Sequence, residues 1–204
     1  MTEFRIDENI RLRSFQAGDA AELFAAVEKN YGHLRPFLHW VEPGYSLESA
    51  RQFIAHAEKE AAGNESRSFG IFFRGKLVGS IGFVNFNWPN RRAEIGYWID
   101  KDFEGRGIIV RSCRALIEYA FDELDMNRIE IRCATENARS RAVSERLGFT
   151  LEGVLREAEW RHTRFFDMAV YGLLKEDWIK NKVDVKSVGF SDEETARRSP
   201  NSDH

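Results

Sequence analysis

Cysteine is scarce in this 204-residue chain, which contains only Cys113 and Cys133. A disulfide-stapled secreted fold needs a denser framework, and both thiols fall in apolar-periodic segments. They are expected to be buried and reduced, in a cytoplasmic compartment, and not to carry an acyl intermediate. No uninterrupted apolar stretch approaches the roughly 18 residues that suggest a membrane span. The start, MTEFRIDENI, has no basic region followed by an apolar run, so it does not read as a secretory signal. Charge of one sign is lacking too, since the formal net charge is −3 and the pI is about 6.0. With no basic stripe interleaved with aromatics, direct nucleic-acid binding is disfavoured. The five histidines are scattered without ligand spacing, so no metal site is expected.

What is present suits one globular domain. Hydrophobic residues make up 43% of the chain, and sixteen Phe and five Trp supply large apolar area for a core. Ile10–Arg13 alternates like a half-buried strand, and Asp19 is placed to cap a helix through Leu23, Phe24 and Val27. Tyr31–Tyr45 reads as an aromatic loop or short helix, and Ser46 as the cap of a second helix. Phe69–Phe73, the turn Arg74-Gly75-Lys76, Leu77–Val84 and Ala93–Ile99 predict a three-strand antiparallel meander. Ile109, Cys113, Leu116, Ile117, Ala120, Phe121 and Leu124 then share one helical face. Ile129, Ile131 and Cys133 alternate as a strand, which completes a βαβ unit with two parallel strands. A short helix from about Arg139 ends at Gly148, and strands near Thr150–Trp160 and Phe165–Leu173 close the domain. Residues 181–204 are polar and charge-balanced and read as a disordered tail.

The segment EIGYWIDKDFEGRGIIV, from Glu94 to Val110, carries the chemistry. Gly105-Arg106-Gly107 lies between a strand and a helix, where backbone N–H groups point outward at the positive end of the helix dipole. That is a natural seat for a pyrophosphate, and glycine permits both close approach and unusual φ/ψ. A turn of this kind can equally do no more than tighten a strand–helix corner. A Walker A loop is excluded because Ile108-Ile109 follow Gly107, and the dinucleotide fingerprint because Val110 stands where its third glycine belongs.

At these residues the chain resembles the GNAT superfamily of acyl-CoA N-acetyltransferases, most closely its RimJ/RimL group of ribosomal-protein N-terminal acetyltransferases. Four landmarks match in order: IGYWI at Ile95–Ile99, EGRGI at Glu104–Ile108, NxxSRAVxERLGF from Asn137 to Phe149, and EG at Glu152–Gly153. The likeness covers about residues 8–178, taken as the acyl-CoA N-acetyltransferase domain. Glu104 and Ile109 depart from the commonly written superfamily loop, which leaves open which N–H groups meet the pyrophosphate.

The resemblance implies an α/β fold. It would be a single GNAT-like domain whose mixed central sheet has antiparallel N-terminal strands and a splayed parallel pair, with helices on both faces. It implies acetyl-CoA as co-substrate and no metal. The main chains of Trp98 and Ile99 would meet pantetheine, Gly105, Arg106, Gly107 and Ile109 would surround the pyrophosphate, and Asn137 would meet the cofactor where the strands part. Ser140 would donate a proton to the leaving thiolate, or merely cap its helix. Glu159 would be the base, with Glu94 its rival. Tyr31, His33, Trp40 and Trp160 are candidates for the wall of an amine pocket, or for core. Arg106 or Arg111 could face phosphate, or solvent. Arg139, Arg141 and Arg146 read as solubilising charges on a helix, with CoA phosphate contact as the alternative.

The implied reaction moves an acetyl group to a primary amine by direct attack, the acceptor being the α-amino group of a ribosomal protein. The alternatives are a small amine such as a polyamine or amino sugar, or a non-catalytic acyl-CoA-binding protein. A homodimer is open, since relatives of this kind often pair.

Overall fold

Alternating apolar residues along strands such as β2 and β5, a continuous buried run in β4, and apolar residues at every third or fourth position along the longer helices give this chain one sheet with two apolar faces to cover. The computed structural model describes residues 3–187, with side chains described from residue 3 to residue 181. Eight strands form the sheet: β1 (Glu3–Arg5), β2 (Ile10–Ser14), β3 (Arg67–Phe73), β4 (Lys76–Asn87), β5 (Arg92–Ile99), β6 (Arg128–Ala134), β7 (Thr150–Arg161) and β8 (Arg164–Leu174). Their spatial order is β1-β2-β3-β4-β5-β6-β8-β7. Neighbours are antiparallel except β5 and β6.

The helices are α1 (Ala20–Lys29), α2 (Tyr31–Leu34), α3 (Leu47–Gly63), α4 (Ile108–Asp122), α5 (Ala138–Arg146) and α6 (Lys175–Ser187). Because successive strand residues face opposite sides, β5 shows how the layers divide. Ala93 and Ile95 pack with Cys113, Leu116, Ile117 and Phe121 of α4. Trp98 packs instead with Leu23 and Val27 of α1 and Ile54 of α3. Helices therefore cover both faces, as expected, and the βαβ unit β5-α4-β6 lies at the centre of the sheet.

Local chemistry accounts for most boundaries. The Ser46 hydroxyl accepts from Ser49 N–H at 3.2 Å and caps α3. Arg74 and Gly75 both have positive φ, 51° and 82°, the backbone of a two-residue hairpin turn between β3 and β4.

Three expectations need correction. Asp19 sits just before α1 without capping it. Its carboxylate is taken by Arg13, at 2.6 and 2.8 Å, and by the Gln16 N–H at 2.7 Å. A short strand, β1, precedes the first one expected. The segment expected as a tail from residue 181 begins inside α6, which runs to Ser187, and residues 188–204 lie outside the described residues. Cys113 and Cys133 are buried free thiols, as their positions suggested.

Candidate active site

The parallel strands pair over three rungs only, Arg92↔Arg128, Ala93↔Ile129 and Glu94↔Glu130. Beyond Glu94 they part. β6 stays on β8 to its last residue, Ala134↔Met168. β5 follows β4, whose register shifts between Phe83 and Asn85, opposite Ile95 and Glu94. A bulge of this kind bends the strand and increases local twist. Val84 of the bulge reaches over Gly96, where a Cβ would lie 2.8 Å from its Cγ1. The β6-facing edge of Ile95–Ile99, including the main chains of Trp98 and Ile99, is left without a strand partner.

A single 3-10 turn, Lys101–Phe103, joins β5 to the glycine turn, and an ion pair from Lys29 to a buried carboxylate fixes how it arrives. The Asp100 side chain is 2% exposed and takes Lys29 of α1 at 2.7 Å. It also accepts the Asp102 N–H at 3.0 Å, while Asn30 accepts the Lys101 N–H at 3.0 Å. Gly105 and Gly107 then adopt φ of +73° and +67°, and a Cβ on either would meet no atom within 4 Å. Neither glycine is demanded by protein packing. Positive φ selects them, and the open space before them suits a ligand. No side chain caps α4, so the N–H groups of its first turn have no carbonyl one turn earlier and face outward.

This donor set fits a pyrophosphate, the charged linkage within CoA. Ile109 turns its side chain into the core, so only its main chain is offered to the loop. The two arginines serve the loop itself. Arg106 donates to the Asp102 carbonyl at 3.0 Å and lies 5.0 Å from the Phe103 ring centre. Arg111 binds Asp7 and donates to the Arg106 carbonyl at 3.1 Å.

At the far end of the gap stand Asn137, Ser140, Tyr97 and Cys133. The cap of α5 is Asn137, whose Oδ1 accepts the Ser140 N–H at 3.1 Å. The Ser140 hydroxyl is thereby free of capping. It shares a 2.9 Å hydrogen bond with the Tyr97 hydroxyl. Burial holds the Tyr97 phenol well above its usual range, so it stays protonated. Burial also raises the Cys133 thiol, against a hydrogen bond with Ser140.

Glu94 and Glu159 lie within electrostatic reach of one another, although they come from β5 and β7. Burial raises the Glu94 carboxyl above the usual range. Arg132, 3.6 Å away, opposes that rise, and the charges of Glu130 and Glu159 add to it. A wide irregularity in β7 sets Glu159. Leu155 pairs with Met168 but Glu159 with Phe166, so two extra residues are accommodated. The Glu157 N–H holds that irregularity by donating to Asp167 at 2.8 Å. One Glu159 oxygen, Oε2, takes Arg161 Nε at 2.9 Å and also its Nη2.

Of the aromatic candidates, Tyr31 and Trp40 pack in the cluster around Trp98. Trp160 points away from Glu159; it is 56% exposed and lies against Phe165. Phe37, in the segment after α2, packs on Ala134, Phe166 and Met168.

Several polar contacts here had no clear signal in the sequence. His33 of α2 meets Glu104 at 2.9 Å, and Glu104 meets Arg139 of α5 at 3.1 Å, so two helices are tied to the glycine turn. Arg141 donates to the Tyr171 hydroxyl at 3.1 Å. These two arginines are therefore more than solubilising charges. His162, in the β7–β8 turn, reaches the Arg35 carbonyl at 2.9 Å and Glu42 at 3.1 Å, which closes that turn onto the segment after α2. Histidines and arginines on polar segments read as solvated faces until the partners, 30 to 127 residues away here, are known.

Comparison with known proteins agrees with this geometry. Residues 9–150 match the family model described as "Acetyltransferase (GNAT) domain". The chain is 38% identical over 179 residues to the "Putative ribosomal N-acetyltransferase YdaF" of Bacillus subtilis, covering 87% of this chain and 98% of that one. It is 31% identical over 172 residues to the ribosomal-protein-serine acetyltransferase of Escherichia coli, covering 84% and 96%. It superposes on the solved RimL ribosomal L7/L12 α-N-protein acetyltransferase in complex with coenzyme A. That match has a TM-score of 0.82 and 27% identity, and covers 86% of this chain and 99% of that one. The chain belongs to the GNAT acetyltransferase family and is an acetyl-CoA-dependent N-acetyltransferase.

Proposed function

We propose that the enzyme acetylates the N-terminal α-amino group of a protein, a ribosomal protein by its likeness to the relatives above, in the cytoplasm. The observation that carries the chemistry is the Ser140 hydroxyl, released from capping by Asn137 and bonded to a half-buried, protonated Tyr97 beside the strand gap.

Acetyl-CoA supplies the acetyl group as a thioester. The N–H groups around Gly105, Arg106, Gly107 and Ile109 hold its pyrophosphate, the open edge at Trp98 and Ile99 holds pantetheine, and Asn137 lies where the strands part. An α-amino group has a pKa near 8, so much of it is protonated at neutral pH and must lose a proton before it attacks. Glu159 takes that proton, directly or through water. The C–N bond forms as the C–S bond breaks, and the departing thiolate, of pKa about 8.5, takes a proton from Ser140 with Tyr97 behind it. The second proton, shed by the new amide nitrogen, restores the Ser140–Tyr97 pair, while Glu159 returns the first to solvent. Glu94 is a second reading for the base, favoured by its raised carboxyl, since a base is most effective with a pKa near the working pH.

Ser140→Ala should lower kcat by about tenfold with acetyl-CoA affinity retained. The loss is modest because a thiolate with a pKa near the working pH leaves with little help. An unchanged kcat would remove Ser140 from the reaction. The function itself is tested by incubating purified ribosomal proteins with enzyme and acetyl-CoA and reading their N-termini by mass spectrometry. An added acetyl group at one N-terminus is expected. Transfer to small amines alone would overturn this reading in favour of a small-molecule acetyltransferase.

A further inference from the structure

Arg161 is the last residue of β7 and its side chain is 6% exposed. Two of its three nitrogens are accounted for. Nε and Nη2 bind Glu159, and Nη2 also lies 3.4 Å from the Met168 sulfur. The third, Nη1, is shielded from solvent and has no hydrogen-bond partner. A guanidinium cannot lose its charge at working pH, so a buried N–H on it without an acceptor is costly and marks a place where an acceptor belongs.

The position is close to the chemistry. The Arg161 side chain lies against Phe166 and Met168, which pack on Ala134 at the end of β6 next to Cys133, and its carboxylate partner is the proposed base. Arg161 also stands at the seam where His162 joins the hairpin turn to Arg35 and Glu42. Glu159 and Arg161 thus set an acceptor of hydrogen bonds beside a donor.

We propose that Arg161 is a specificity residue that binds the carbonyl or carboxylate oxygen next to the reacting amine, so that the enzyme selects α-amino acyl acceptors over plain alkylamines. This rests on the reading of Glu159 as the base. The complement is chemical. An α-amino acyl group presents a nitrogen that must shed a proton and, on the adjoining carbon, an oxygen that accepts hydrogen bonds. Glu159 meets the first and Arg161 the second. A polyamine or an aminoalcohol offers no such oxygen; it would leave Nη1 unpaired, and any further ammonium would be repelled by the guanidinium. A site built to hydrogen-bond a substrate group rejects analogues lacking it far more strongly than an apolar pocket rejects a missing methylene.

The test uses the intact enzyme at saturating acetyl-CoA, following thiol release. The acceptors are a serine-initiated peptide with a free α-amine, free serine, ethanolamine (serine without its carboxyl group) and spermidine. The wild-type kcat/KM for the peptide should exceed that for ethanolamine or spermidine by about 100-fold or more. Arg161→Gln should raise the peptide KM by about 30-fold, corresponding to one charge-assisted hydrogen bond. Because Arg161 also holds Glu159, a fall in kcat common to all acceptors is expected as well. The effect is therefore read in the ratio of peptide to ethanolamine kcat/KM, which should drop by about 30-fold. Arg161→Lys should recover part of the loss. If ethanolamine or spermidine matched the peptide with wild-type enzyme, the inference would fall even if the variants did not fold. A peptide turned over normally by Arg161→Gln, or a loss spread evenly over all acceptors, would overturn it and leave the N-terminal reading standing. Preference for free serine over the peptide would support Arg161 as an oxygen reader while overturning a protein N-terminus as the acceptor.

Discussion

Gly107→Val should weaken acetyl-CoA binding by about 100- to 10,000-fold, with the apo fold retained. Gly107 has a φ of +67°, and a Cβ there would meet no protein atom within 4 Å. The substitution therefore clashes with nothing in the protein and costs about 1–2 kcal/mol of backbone strain. Valine would relieve that strain by turning the loop, and its branched side chain would occupy the space in front of the N–H groups of α4. Each charge-assisted hydrogen bond to phosphate is worth about 1.5–3 kcal/mol, so losing two of them costs about 3–6 kcal/mol. That corresponds to the range stated, at about 1.4 kcal/mol per factor of ten. Gly105→Ala should do less, because alanine adds strain with little bulk. Calorimetric titration with acetyl-CoA, read beside thermal melts without ligand, separates lost affinity from lost structure. An unchanged Kd would move the pyrophosphate away from this turn.

The parts of the fold legible in the sequence were those set by local periodicity. The apolar face from Ile109 to Leu124 announced α4, and Arg74-Gly75 announced a hairpin that needs two positive φ values. The parallel pairing of β5 and β6 followed from the strand–helix–strand order. Its limitation to three rungs did not, because it depends on a register shift in a third strand, β4. In α6 the charged start, with Trp178 its one large buried residue among the described side chains, lacks an apolar stripe and so reads as solvated chain.

The candidate site was legible where a motif ties residues near in sequence. Asn137 and Ser140 are three apart, and either could have capped α5; the backbone decides for Asn137. It was illegible where partners are distant. Lys29 and Asp100 lie 71 residues apart, and each alone is an ordinary surface charge. Arg161 follows Glu159 by two on a strand, a spacing that reads as an exposed pair on one face. Only the packing of Phe166 and Met168 around it shows that one of the two is buried.

Glu159→Gln should lower kcat/KM for the acceptor by about 100- to 1000-fold, in the usual range for removing a positioned base. KM for acetyl-CoA should not change, since Glu159 lies on β7 and the proposed cofactor groups lie on β5, α4 and α5. Glu94→Gln separates the two carboxylates by its effects on rate and on stability. If Glu159 is the base, Glu94→Gln keeps most of the turnover, and the reverse pattern would transfer the role to Glu94. Its effect on stability has a definite sign. Burial raises the Glu94 carboxyl in the folded enzyme, so the native state binds more protons than the unfolded chain between the ordinary carboxylate pKa and the raised one. Wild-type stability falls as pH rises through that window, because the ionised form is disfavoured in the fold. Glutamine carries no such penalty. The melting temperature of Glu94→Gln should therefore exceed that of wild type at neutral pH, and the difference should close as pH falls below about 4, where both states of the wild type are protonated. A variant less stable than wild type at pH 7 would show that attraction to Arg132 outweighs burial at Glu94, and the case for Glu94 as an elevated base would be lost.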